Sequence, residues 1–284
     1  MSTTESNASA AVDFVEAKLN YLSGTSEKPV SYRYQPPPGV PWRTGTYSSH
    51  VVAIRNARPI ADRLSLDKEG FELIRFKSQL ANFYDEKEVQ TVLYPEVEQL
   101  LREATGAPRV FVFDHIVRHA PKAQRSENGA KEPAKSVHND YTEHSGSKRV
   151  RDLFPDEAEE LLKNRVAIIN LWKPISGPVR EAPLSVCDAG SIAESDLVVS
   201  QLRYAHRIGE TYAITYAAGH RWYYFPEMRS DEALLIKCFD SEKDGRARFT
   251  AHTAFDDPTS PPNAPARESI ELRALVFFGP RPSA

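Results

Sequence analysis

The chain has 284 residues, 40% of them apolar and 26% charged, with a formal net charge of −3. Such proportions suit a globular protein with a sizeable core, and mild acidity with scattered Lys and Arg argues against a nucleic-acid or membrane-surface partner. No run approaches the ~20 apolar residues of a membrane-spanning helix, and the first residues lack the basic-then-apolar pattern of a secretory signal. Two cysteines, Cys187 and Cys238, cannot form a disulfide framework and point to a reduced, cytoplasmic setting.

In chain order, residues 1–12 are small, polar and aperiodic and read as a disordered tail. Lys28 to Gly45 is rich in proline and aromatic residues and reads as an extended arm. Short apolar runs between Ser49 and Phe76 look like strands. From Asp85 to Ala104, Val89, Leu93, Val97, Leu100, Leu101 and Ala104 recur at helical spacing before Gly106, with Pro95 expected to kink or split the helix. A shorter helix is expected at Asp156 to Lys163. Strands are expected at Arg109–Val117, Val166–Lys173, Asp196–Leu202, Glu210–Tyr216, Arg221–Phe225, Ala233–Phe239, Arg248–Phe255 and Ser269–Phe278, each rich in β-branched or aromatic residues. With 21 prolines against 13 glycines, this pattern predicts a mainly β sandwich or barrel rather than a doubly wound sheet. A single domain over 1–284 is expected, in which residues 13–130 supply flanking helices, the arm and extra strands to a core over 131–280.

Dinucleotide, phosphate-loop, nucleophile-elbow and Cys-x-x-Cys motifs are all missing from the sequence. Any metal or acid–base site must therefore draw on the eight histidines. His138-Asn139-Asp140 is a His-x-Asp; on an extended segment the imidazole and carboxylate share a face. They supply two members of the 2-His-1-carboxylate set that holds Fe(II) and leaves positions open. With this many histidines one such tripeptide can arise by chance, as a hydrogen-bonded turn. Downstream lie the apolar strand Ala233–Phe239, then His252, then Arg267-Glu268-Ser269 opening the last strand. That is the order found in 2-oxoglutarate-dependent iron dioxygenases. His252 is the expected third ligand. His220, directly after a glycine turn, is its rival and reads as a packing or hydrogen-bonding residue. His115 and His119 are spaced i, i+4, but on a strand-like segment with no glutamate after His115. Arg267 and Ser269 share one strand face and can take a carboxylate by a guanidinium fork and a hydroxyl; Arg273 has the same parity and competes for that role. Asn170, Trp172 and Tyr223 are read as substrate or co-substrate contacts, against an ordinary core role for the aromatics.

The runs Asn170-Leu171-Trp172-Lys173-Pro174-Ile175, His220-Arg221-Trp222-Tyr223-Tyr224, Leu235-Ile236-Lys237-Cys238-Phe239-Asp240-Ser241, His252-Thr253-Ala254-Phe255 and Arg267-Glu268-Ser269-Ile270-Glu271 resemble the fungal AsaB-type hydroxylase/desaturase family, which includes CmcJ-like proteins. The likeness runs from about residue 30 to the end. It implies a double-stranded β-helix (jelly-roll, cupin-like) fold and non-haem Fe(II)/2-oxoglutarate/O₂ chemistry in natural-product biosynthesis. It implies His138, Asp140 and His252 as metal ligands and Arg267 as co-substrate anchor. The expected activity is hydroxylation, desaturation or further oxidation of a C–H position of a small-molecule intermediate. Rival readings are an accessory binding protein on the same fold and a cupin-like isomerase or Zn/Mn enzyme that dispenses with 2-oxoglutarate. A homodimer is left open. The arm and the loop after Asp140, basic around Lys148, Arg149 and Arg151, are expected to form a lid.

Overall fold

The computed structural model describes residues 13–24 and 27–280; the expected tail at 1–12 lies outside the described residues. The strands in chain order are β1 (Phe14–Leu22), β2 (Val30–Tyr32), β3 (Tyr47–Asn56), β4 (Phe71–Arg75), β5 (Arg109–Arg118), β6 (His138–Asn139) and β7 (Val166–Pro174). They continue as β8 (Leu184–Cys187), β9 (Leu197–Arg203), β10 (Ile208–Ile214), β11 (Trp222–Tyr224), β12 (Glu232–Asp240), β13 (His252–Ala254) and β14 (Ser269–Phe277). One mixed sheet of nine strands has the order β1-β3-β11-β8-β13-β6-β10-β9-β2; an antiparallel sheet of five has the order β4-β12-β7-β14-β5. The two face one another as the expected jelly-roll.

Strand alternation explains the layering. On β7, Val166, Ile168 and Trp172 point between the sheets, while Ala167, Ile169 and Leu171 point the other way. That second face is covered by a helical run whose Val89, Leu93, Val97 and Leu101 are fully buried against it. Asp85 caps the run's start by accepting from the backbone N–H groups of Lys87 and Glu88. The proline effect is visible: a π-turn over Val89–Leu93 precedes the α-helix Tyr94–Thr105, so Pro95 falls at a fresh first turn where its missing N–H costs nothing. Gly106, at φ 69°, closes the helix with its N–H on the Arg102 carbonyl.

Several sequence expectations need correction. β1 was not anticipated, although Val15, Ala17, Leu19 and Tyr21 alternate into the core along it. The segment after Asp140 is no loop: Glu143–Leu153 is an α-helix with a capping box between Thr142 and Ser145. Gly146 lets this helix lie directly on β12, since a Cβ there would come within 2.5 Å of the Phe239 ring. The expected strand Arg248–Phe255 pairs only over His252–Ala254, and the helix expected at 156–163 shortens to Ala158–Leu161.

Lys173, on the helix-covered face of β7, is buried; its ammonium donates to the Ser230 and Pro174 carbonyls at 2.9 and 3.2 Å. Burial pushes its pKa down to about 8. The unfolded lysine keeps its proton to about pH 10.4, so between these values the unfolded state binds more protons and stability rises with pH. Lys173→Met is expected to remove up to about 3 kcal/mol of that rise. Urea midpoints of the two proteins at pH 8 and pH 10 check it: the variant should show the shallower slope.

Candidate active site

β6 is two residues long and sits between β13 and β10, with His138 directly opposite His252. His138 and Asp140 therefore reach one side of the strand and Asn139 the other. Asn139 is fully buried; its Nδ2 donates to the Tyr141 and Cys238 carbonyls at 2.7 and 2.9 Å, and its Oδ1 accepts from the Thr250 N–H at 3.2 Å. It thereby ties the strand carrying two ligands both to β12 and to the approach to His252.

Each imidazole is fixed through its Nδ1, which donates to the backbone carbonyl two residues earlier: Ser136 at 2.7 Å for His138 and Thr250 at 3.1 Å for His252. A carbonyl can only accept, so in the neutral form of each ring Nε2 is the nitrogen that carries the lone pair. Burial first, then the neighbouring His252, pushes the His138 pKa down to about 3, so that ring is neutral, as a metal ligand must be. Asp140 is oriented from the opposite sheet. Its Oδ2 accepts from Arg273 Nε at 2.9 Å and Asn170 Nδ2 at 2.8 Å, which leaves Oδ1 facing His138 Nε2 at 3.6 Å. Burial alone would raise this carboxyl, but the Arg273 guanidinium outweighs it and holds it well below the usual carboxylate range. Among the described residues, His138, Asp140 and His252 are the one cluster with three ligating atoms within 4.8 Å of one another. His252 Nε2 is buried without any hydrogen-bond partner within the protein, as suits a metal ligand. The donor set fits Fe(II).

A narrow cleft leads from His138 and His252 to Arg267, with Trp172, Thr253, Leu184 and Glu271 in its walls. Arg267 is buried; its Nη1 donates to the Ala182 carbonyl at 2.5 Å and its guanidinium lies 5.5 Å from the Trp172 ring. Its Nε and the Ser269 Oγ are both buried without partners. Burial, followed by repulsion from Arg118, presses the Arg267 pKa downward, so an arriving anion relieves the site.

Three rungs across the five-stranded sheet build this floor. Arg118 stands opposite Ser269, then Ile116, Glu271 and Trp172 align, then Asp114, Arg273 and Asn170. The third rung corrects two expectations. Arg273 is no open carboxylate anchor, because its guanidinium is engaged by Asp140, by Glu271 at 3.0 Å and by Asp114 at 3.2 Å. Asn170 lines neither the cleft nor the larger cavity beside it: its Nδ2 donates to Asp140 at 2.8 Å and Glu271 at 3.1 Å, and its Oδ1 is buried without a partner. Tyr223 packs against Phe71, with ring centroids 5.9 Å apart, and lines neither the cleft nor the larger cavity beside it. His220 is held away from the cluster, between the Tyr21 hydroxyl at 3.2 Å and Asp196 at 3.1 Å. His115 bonds Tyr94 and His119 lies near Glu268.

Sequence reasoning missed Asn139, Arg118, Asp114 and Glu271. Glu271 was findable, since it shares the strand parity of Ser269 and Arg273. Arg118 was not, because its place depends on a strand pairing 151 residues away in sequence. Truncating Asn139 to alanine leaves three buried backbone groups unpaired, at about 1–3 kcal/mol each. It should also weaken metal retention about 10- to 100-fold. Urea denaturation together with metal titration of N139A checks both.

Comparison with known proteins shows the family. Residues 19–277 match the family described as an oxidoreductase/YMDC permease-like domain. The chain is 35% identical over 254 residues to "Hydroxylase/desaturase efuI" of Hormonema carpetanum, across 82% of this chain and 85% of that protein. It is 34% identical over 268 residues to "Fe(II)/2-oxoglutarate-dependent dioxygenase nvfI" of Aspergillus novofumigatus, across 90% and 93%. The solved structure of "iron and alpha-ketoglutarate-dependent endoperoxidase NvfI" matches with a TM-score of 0.84 and 28% identity, over 94% of this chain and 99% of that one. The chain therefore belongs to the fungal hydroxylase/desaturase family of Fe(II)/2-oxoglutarate-dependent dioxygenases, the family its own motifs resemble.

Proposed function

We propose that this dioxygenase oxidises a C–H position of a small-molecule intermediate of secondary metabolism, with His138, Asp140 and His252 holding the iron and Arg267 with Ser269 holding the distal carboxylate of 2-oxoglutarate. The carrying observation is the set of orphaned buried groups: His252 Nε2 at one end of the cleft, Arg267 Nε and Ser269 Oγ at the other. Buried polar groups are rarely left unpaired, and a metal at one end and a carboxylate at the other would satisfy all three. Fe(II) bound there supplies the oxidative chemistry with 2-oxoglutarate and O₂.

The protein's own contribution is positional. The Ser136 and Thr250 carbonyls fix which nitrogen of each imidazole is presented, Arg273 and Asn170 hold Asp140 to a single open oxygen, and Trp172 forms a flat wall beside the Arg267 guanidinium. All of these groups come from one chain. The arm contributes Tyr32 and Trp42 to the wall of the larger cavity, and the Glu143–Leu153 helix contributes Arg149, so both segments expected to form a lid border the reaction space. The enzyme would work in the cytoplasm, a setting that its two buried free thiols suit.

An accessory role without chemistry is disfavoured by the same orphaned groups, which a purely binding fold has no reason to bury. Anaerobic reconstitution with Fe(II), followed by O₂ and 2-oxoglutarate, tests the reading. Iron-dependent succinate formation is expected. None at any iron loading would overturn it in favour of the accessory role.

A further inference from the structure

The larger cavity beside the metal cluster has a volume of about 1100 Å³ and carries His138 and Asp140 in its wall. That is far more room than a five-carbon keto acid needs and matches a drug-sized organic skeleton. The chain's net charge is −3, yet this wall collects cations. Arg273 is answered by Asp140 and Asp114, Lys148 by Asp152, and Lys135 by Asp256. Arg33, Arg118, Lys131, Arg149 and Arg207 have no carboxylate within ion-pair distance among the described residues. Against them stand only Glu132, bonded to Gln124, and Glu210, bonded to Thr142 and near Lys28.

Arg149 is the informative member. It projects from the Glu143–Leu153 helix, its guanidinium lies 5.4 Å from the Phe113 ring centroid, and its Nε is buried with no hydrogen-bond partner. Leaving such a donor unpaired is costly unless a ligand completes it. The wall around it is aromatic and aliphatic, with Tyr141, Tyr212, Ile116 and Leu202.

We propose that the substrate is an amphipathic organic anion, an apolar ring-bearing skeleton with one carboxylate, and that Arg149 receives that carboxylate. This rests on the dioxygenase reading of the neighbouring cleft. The skeleton lies along the apolar wall, and the anion at Arg149 fixes which of its carbons faces the metal cluster. The other unpaired cations of the cavity wall draw the substrate in, and that attraction weakens with salt.

The test uses two dyes with the same ring system, anionic 8-anilinonaphthalene-1-sulfonate and neutral N-phenyl-1-naphthylamine. Their binding to the anaerobic Fe(II) enzyme saturated with 2-oxoglutarate is read by fluorescence. The sulfonate dye should bind at least about tenfold more tightly than the neutral one. That preference should fall to near unity in Arg149→Gln and return in part in Arg149→Lys. Arg151→Gln, two residues on and paired with Glu159 at 2.7 Å on the surface, should keep it. A wild-type enzyme with no preference, a preference that survives Arg149→Gln, or loss of sulfonate-dye binding when 2-oxoglutarate is titrated into the Fe(II) enzyme beforehand would each overturn the proposal. Failure of wild-type enzyme to consume 2-oxoglutarate would instead sink the dioxygenase reading, whatever the dyes do.

Discussion

Replacing His252 with alanine should reduce iron retention by more than about 100-fold and take activity to background, while the protein still folds. Even outer partners of metal ligands are worth about 10- to 100-fold in affinity, so losing a ligand outright should exceed that. The fold should survive because the lost Nε2 has no partner within the protein, and the one bond removed is Nδ1 to the Thr250 carbonyl. His220→Ala should give the opposite pattern. That ring bridges Tyr21 and Asp196 and stacks on Tyr21 at 5.6 Å, so its loss should cost about 1–3 kcal/mol of stability with iron retained. Thermal unfolding and iron content of the two purified variants decide the matter. If iron is lost with His220 and kept with His252, the ligand assignment is wrong.

Arg267→Met should raise the KM for 2-oxoglutarate by about 30-fold or more, the 2–5 kcal/mol expected when one partner of a buried charge pair is removed. The same substitution should stabilise the protein in the absence of the co-substrate. There the Arg267 guanidinium has no carboxylate in ion-pair contact and donates only to the Ala182 carbonyl, the Glu181 carboxylate being taken by the Arg267 backbone N–H at 3.0 Å; replacing such a buried charge by an apolar side chain of similar length is favourable. A gain of about 1 kcal/mol corresponds to a Tm rise of roughly 2–4 °C for a chain of this size. Melting curves with and without 2-oxoglutarate should therefore cross over: the variant melts higher without it, and the wild type gains more when it is added. An unchanged KM would transfer the anchor to Arg118, the other guanidinium lining the cleft.

The parts of the site legible in the sequence were those governed by local geometry. His138 and Asp140 share a face because they are two residues apart on an extended segment, and Arg267, Ser269 and Arg273 share one for the same reason. Strand periodicity likewise located most of the five-stranded sheet, and Gly106 and Pro95 marked the helix before it. What stayed hidden depended on pairing. Strand parity alone made Arg273 look as open as Arg267, yet β14 pairs with β5 and β7 so that Asp114 and Asn170 flank it. The Glu143–Leu153 helix was hidden by its composition: a glycine and two serines in its first half suggest a loop, but the Thr142–Ser145 capping box and the fit of Gly146 against Phe239 make it helical.

The division of labour between the sheets has a further consequence. Both histidines sit on the nine-stranded sheet, whereas Arg267, Ser269 and the groups steering Asp140 belong to the five-stranded sheet or the segment leading into it. On the proposed assignment of iron and keto acid, the packing of Ile168, Leu234, Ile236 and Val186 would work as the jaw setting of a caliper that gauges the co-substrate's length. Enlarging one of these residues, as in Ile236→Phe, would widen the gap without touching any polar group. Such a change would desynchronise the two ends of the keto acid and waste it, so that succinate accumulates faster than oxidised product.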